Sequence, residues 1–136
     1  MCIRDRNVMV TNGAKQAIYN LFQVLLNDDD EVIIPAPYWL SYPQMVRLAG
    51  GKPVFLNSSA ENGFKINIQE LKSKVTSKTK FIIINSPNNP TGRVMPKEEL
   101  LEIAEVVREN KNINILSDEI YAVSYTHLTL PTSDLV

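Results

Sequence analysis

The chain has 136 residues, 44% of them hydrophobic and 21% charged, with a formal net charge of -1. That is long enough to close one domain around a core and too apolar for a disordered segment. Near-zero charge with no basic stripe argues against a nucleic acid partner, apolar runs as short as Val32-Ile33-Ile34 argue against a membrane span, and with no charged-then-apolar leader a cytoplasmic location is expected.

Both ends read as foreign to what lies between them. Residues 1–6, Met1-Cys2-Ile3-Arg4-Asp5-Arg6, show no periodicity. Residues 123–136 contain Ser124-Tyr125-Thr126-His127-Leu128-Thr129-Leu130-Pro131-Thr132, which resembles translated adapter sequence. Both segments are expected to be non-native, leaving residues 7–122 as the folded unit. Cys2 and His127 are the only residues of their types and lie inside these ends, so disulfides, zinc clusters and Cys-His nucleophile pairs lack material and no metal site is expected.

Between the ends, short apolar runs alternate with segments of helical period. Val8-Met9-Val10-Thr11 predicts a first strand, followed by Asn12-Gly13-Ala14-Lys15 and a helix whose Ile18, Leu21, Phe22 and Leu25 share one face, with Thr11 or Asn12 as its cap. Residues 31–34 predict a second strand stopped by Pro35 and Pro37, and residues 42–49 a helix ended by Gly50. Residues 52–57 predict a third strand, and Ile68, Leu71 and Val75 mark a short helix. Residues 80–85 predict a fourth strand, apolar enough to be covered on both faces. Pro96 opens a helix with Leu100, Ile103, Ala104 and Val107 on its apolar face and Lys97, Glu98, Glu102, Glu105, Arg108 and Glu109 in solvent. Residues 113–116 predict a fifth strand that delivers Ser117-Asp118-Glu119-Ile120-Tyr121 at its carboxyl end. The alternation predicts an α/β fold, a parallel sheet with helices on both faces.

In such sheets small ligands bind beyond the carboxyl ends of the strands. One loop there is Asn85-Ser86-Pro87-Asn88-Asn89-Pro90-Thr91-Gly92, where asparagines offer donors and acceptors on short stems and Pro90 favours a cis Asn89-Pro90 bond; a plain polar turn is the simpler reading. Gly13, Ala14 and Lys15 can present backbone N–H groups to an anion, or form an ordinary helix start. With neither a G-x-G-x-x-G nor a Walker A sequence, dinucleotides and nucleoside triphosphates are disfavoured. Trp39, just past Pro35-Ala36-Pro37-Tyr38, can be a flat platform for an aromatic ligand or an interior anchor. Asp118 ends an apolar strand and therefore requires a cationic or hydrogen-bonding partner, unless it caps a helix, and Tyr121 lies near it on either path.

Together these segments resemble the pyridoxal-phosphate-dependent aminotransferases of fold type I, specifically class I enzymes of the bacterial aspartate aminotransferase kind. The resemblance runs from about Val8 to Tyr121. Thr11-Asn12-Gly13-Ala14-Lys15-Gln16-Ala17, Pro35-Ala36-Pro37-Tyr38-Trp39-Leu40-Ser41-Tyr42, Ala49-Gly50-Gly51, the loop from Asn85 to Gly92, and Ser117-Asp118-Glu119-Ile120-Tyr121 carry it. It implies part of a large cofactor-binding domain in which Gly13, Ala14 and Lys15 hold the phosphate and Trp39 stacks on the pyridine ring. Asp118 pairs with the pyridine nitrogen, Tyr121 and Asn89 bond the ring's phenolic oxygen, and Asn89 also lies close to the substrate carboxylate. Trp39 and Asn89 are thus the implied substrate-side residues, with Asp118 and Tyr121 the catalytic ones.

The resemblance further implies amino acid and 2-oxo acid substrates, a homodimer of the full-length protein, and the strand order 80–85, 113–117, 31–34, 52–57. The strand at 8–11 is expected to stand apart, with two later strands between it and 80–85. The family's cofactor-bonding lysine lies some tens of residues past the Asp118 position, and no Lys or Arg follows Lys111, so the isolated chain is expected to be inactive. A lyase or synthase using the same cofactor, or the aminotransferase-like sensing domain of a transcription regulator, are the other functions these motifs allow.

Overall fold

A computed structural model of the chain describes residues 8–122. The expectations for residues 1–6 and 123–136, Cys2 and His127 included, fall outside the described residues. The elements in chain order are helix α1 (Ala14–Leu25), strand β1 (Glu31–Pro35), α2 (Ser41–Leu48), β2 (Lys52–Leu56), a single 3-10 turn (Ala60–Asn62), α3 (Ile68–Lys74), β3 (Thr79–Asn85), α4 (Lys97–Glu109) and β4 (Asn114–Asp118).

The strands form one parallel sheet in the order β2-β1-β3-β4. The expected order is therefore corrected at one place: β3, not β4, lies against β1. The reason is visible in burial. Phe81, Ile82, Ile83 and Ile84 are all buried, so β3 takes the position where both edges are paired and both faces covered. β4 leaves Asn114, Ile115 and Ser117 exposed and ends the sheet among the described residues. Residues 8–11 form no strand, and Val8, Met9 and Val10 are exposed. They stand apart from β3 as expected, but the strand that borders the groove beside them is β4 rather than β3, since β1 and β4 take both edges of β3.

Alternation along the strands builds a core on each side of the sheet. Val32 and Ile34 of β1 with Phe81 and Ile83 of β3 meet Ile18 and Phe22 of α1 and Tyr42, Met45 and Val46 of α2. On the other face Ile33, Ile82 and Ile84 meet Leu71 of α3 and Ile103 and Val106 of α4. Each such fully buried side chain contributes about 1.5–3 kcal/mol of burial free energy. The layering is helix, sheet, helix, as the sequence pattern predicts. Among the described residues no helix is long and apolar enough to cross a membrane.

Two helices differ from expectation, one at its start and one in the face it buries. The residue that caps α1 is Gly13, in a left-handed φ of 80° with no side-chain cap, rather than Thr11 or Asn12. That turn sends the Thr11 hydroxyl to the Gly13 carbonyl (3.0 Å), while the Asn12 N–H donates to Gln16 Oε1 (2.6 Å). α4 does open after Pro96, but its buried residues are Glu99, Ile103 and Val106, and Leu100 is 38% exposed. The helix is rolled toward Glu99 because Arg93 supplies that carboxylate with a buried partner.

Candidate functional site

β1, β3 and β4 end on the same side of the sheet. Asp118, the last residue of β4, is in register with Asn85, the last of β3. Asn85 is only 8% exposed and uses its whole amide: Nδ2 donates to the Asp118 carbonyl (3.0 Å) and the Pro87 carbonyl (3.3 Å), and Oδ1 accepts the Asn89 N–H (2.7 Å). Next in the loop, Asn88 donates through Nδ2 to the Pro37 carbonyl (3.3 Å) and accepts at Oδ1 from the Thr91 N–H and hydroxyl (3.2 and 2.8 Å). The loop from Asn85 to Gly92 is thereby laced to β4 and to the loop after β1. Asn89-Pro90 is cis as expected, as are Ala36-Pro37 and Ser86-Pro87. The backbone of Asn89 is fixed while its side-chain amide makes no hydrogen bond within the described residues, leaving both its donor and its acceptor for a ligand.

Asp118 has the partner its position demands. The Tyr42 hydroxyl donates to Oδ2 at 2.5 Å, and the Ile120 N–H donates to Oδ1 at 3.3 Å. Tyr42 is 1% exposed. Burial first, and then the Asp118 hydrogen bond and charge, push its phenol well above the ordinary tyrosine range, so it remains a donor to the carboxylate. The partner is thus a neutral phenol rather than a cation. Asp118 also serves a local turn, and the two roles use different oxygens. Tyr121 is 42% exposed, three residues past Asp118 in the turn that follows β4.

Trp39 packs edge-on against Tyr42, with ring centroids 5.4 Å apart and planes at 89°. It is half-buried at the margin of the core, so it is both anchored and accessible. Lys15 Nζ lies 5.0 Å from the Trp39 ring centroid, which ties the start of α1 to the same cluster. At that helix start the Gly13 N–H is taken by the Thr11 carbonyl (2.9 Å), but no acceptor among the described residues caps the N–H groups of Ala14 and Lys15. Two orphan donors at the positive end of a helix dipole suit an anion. Ala14 and Asp118 border a common groove, whose floor is apolar.

The structure therefore brings Gly13, Ala14, Lys15, Trp39, Asn89 and Asp118 to one end of the sheet, with Tyr121 near its rim. Sequence reasoning missed Tyr42 and Asn85. Tyr42 reads as the first apolar residue of a helix, and its signal is only a polar-tipped aromatic three residues after Trp39. Asn85 has a clearer signal, a polar residue closing an otherwise apolar strand, which must be satisfied inside the fold.

A family model described as aminotransferase class I and II matches residues 2–131. The aspartate aminotransferase of Bacillus sp. (strain YM-2) is 54% identical over 118 residues, covering 87% of this chain and 30% of that protein. The Thermus thermophilus aspartate aminotransferase solved with maleate superposes with a TM-score of 0.76 at 47% identity over 79% of this chain and 28% of that one. The Thermotoga maritima enzyme gives 0.77 at 41% identity over 80% and 29%. The chain thus spans about 30% of the length of the Bacillus relative. A family match over nearly the whole sequence, with relatives 54% identical, leaves one conclusion: the chain belongs to the class I and II aminotransferases.

Proposed function

We propose that the full-length protein carrying this chain is a pyridoxal-phosphate-dependent aminotransferase that moves an amino group between an aspartate-like amino acid and a 2-oxo acid, as a homodimer. The observation that carries this reading is Asp118 at a strand end, its carboxylate held by Tyr42 and its backbone carbonyl by Asn85, on a groove shared with the uncapped start of α1. The residues present fit the cofactor's chemistry. Backbone N–H groups of Ala14 and Lys15, set by the turn at Gly13, would hold its phosphate, and Lys15 adds charge nearby. Trp39 offers a ring face, and the free amide of Asn89 with the Tyr121 phenol would bond the phenolic oxygen. Asp118 would keep the proton on the pyridine nitrogen, with Tyr42 fixing the carboxylate's direction.

When bound, pyridoxal phosphate supplies an electron sink that lowers the barrier to removing the substrate's Cα proton. The chain's own groups contribute positioning on the cofactor side of the site. Asn89 and Trp39 would also face the substrate, and the maleate of the Thermus relative, a four-carbon dicarboxylate, supports an aspartate-like one. A lyase or synthase on the same scaffold would use the same cofactor-side residues. The test is to purify the full-length protein, saturate it with pyridoxal phosphate, and supply aspartate with 2-oxoglutarate. Formation of glutamate and oxaloacetate in equal amounts is expected. Release of free ammonia without glutamate would overturn transfer in favour of elimination.

A further inference from the structure

Glu99 is a buried carboxylate that the site described above does not use. It is 1% exposed, in the first turn of α4, and makes a two-pronged contact with Arg93: Nη1 lies 3.3 Å from Oε1, and Nη2 closes on Oε2. Oε1 also accepts the Ile66 N–H at 2.9 Å. One carboxylate thus joins three separate pieces of chain, namely α4, the segment before α3, and the residue directly after the Asn85–Gly92 loop.

Arg93 is the link to the site. Its carbonyl accepts the Asn88 N–H (2.9 Å) and its own N–H donates to Thr91 Oγ1 (3.2 Å), closing the loop on itself. Its side chain borders the small chamber behind Tyr42, Asn85 and Asn88. From Glu99 hydrogen bonds lead to Arg93, and from the Arg93 backbone to Asn88 and Thr91; Asn89, the next residue along the chain, is in turn bonded through its N–H to Asn85, which holds the Asp118 carbonyl. A buried ion pair adds little net stability over an apolar pair of equal volume, because desolvation offsets the attraction, although removing one partner alone is costly. What the two-pronged contact supplies instead is direction.

We propose that Arg93 and Glu99 are a positioning pair, which fixes the Asn88–Thr91 segment so that the free amide of Asn89 keeps its place relative to Asp118. The kinetic part rests on the transaminase reading above, whereas the structural part does not. The test uses the full-length, cofactor-loaded protein as wild type, Arg93→Met and Arg93→Met/Glu99→Leu, with three readouts: melting temperature, hydrogen exchange at the amides of Asn88, Asn89 and Thr91, and KM against kcat for aspartate. Arg93→Met should lower the melting temperature, speed exchange at those amides, and raise KM about tenfold with little change in kcat, as expected for coupling through a packed network.

The double variant carries no unpaired buried charge, although the Ile66 N–H loses its acceptor, and should recover part of the lost melting temperature while fast exchange and high KM persist. It also decides the matter if Arg93→Met alone fails to fold. Recovery of exchange and KM together with the melting temperature, or unchanged exchange in both variants, would overturn the proposal. Wild-type protein without turnover would remove the transaminase reading and leave exchange to decide the pair.

Discussion

Ile82 of β3 and Ile115 of β4 are partners in the parallel ladder, yet Ile82 is 0% exposed and Ile115 is 42% exposed. Residue type and secondary structure are the same, and position in the sheet is not. β3 has a strand on each edge and a core on each face. Among the described residues β4 has one paired edge, and its Leu116 side looks across an apolar groove toward α1. An apolar run is therefore enough to make a strand, but coverage is decided by which neighbours are present. The same contrast holds at the strand ends, where Asn85 is locked in by three hydrogen bonds while Asp118 keeps a half-open side facing the groove.

The largest effect that this contrast predicts is on stability. Ile82→Ala should cost this chain about 2–5 kcal/mol, the range for a large-to-small change in a closed core. Ile115→Ala should cost less than about 1 kcal/mol, as for a surface site. Urea unfolding of the two variants measures both, and equal costs would break the comparison. In the full-length protein the resemblance implies further strands, and β4 is a free edge available to one of them. There the two substitutions should converge, which unfolding of the longer protein would show.

Tyr42→Phe comes next. It removes the hydroxyl that donates to Asp118, and loss of a hydrogen bond to a charged group is expected to cost about 1.5–3 kcal/mol. Its pH dependence sharpens the point. The folded state raises the Tyr42 phenol above its usual value near 10, so it retains a proton that the unfolded chain releases. The contribution is full below about pH 10 and declines as pH rises beyond it. Melting temperatures taken from pH 8 upward should therefore fall more steeply for wild type than for Tyr42→Phe, and parallel curves would place the titration elsewhere. The smallest effect belongs to Lys15→Ala. Loss of an exposed cation over Trp39 should cost about 0.5–1 kcal/mol, and cofactor retention in the full-length protein should weaken only severalfold because the backbone donors remain.

Much of this was legible in the residues. Apolar runs at β1 and β3, the breaks at Pro35 and Gly50, and the helical period after Pro96 identify elements because strand and helix bury residues at different spacings. The order of the strands was not legible, since nothing in Ile113-Asn114-Ile115-Leu116 distinguishes an edge from a centre until its neighbours are known. Val8-Met9-Val10-Thr11 failed for a related reason, as β-forming residues make a strand only where the fold lays them along a neighbouring strand, and residues 8–11 pair with none of the described strands. At the site, Asp118 announced that it needed a partner, but Tyr42 is 76 positions away in sequence and only the fold brings it there. Glu99 was hidden among the charges of α4, because a charged helix residue reads as solvated unless its buried counter-ion is seen.

Asp118→Asn in the full-length protein, saturated with pyridoxal phosphate, tests the reading of this strand end most directly. The side chain keeps its shape and can still accept from Tyr42, but it no longer holds a proton on the pyridine nitrogen. Cofactor should remain bound while turnover falls about a thousandfold, the rate equivalent of roughly 4 kcal/mol of transition-state stabilisation. A variant that keeps its cofactor and most of its turnover would contradict the placement of the ring and leave Asp118 as a structural partner of Tyr42.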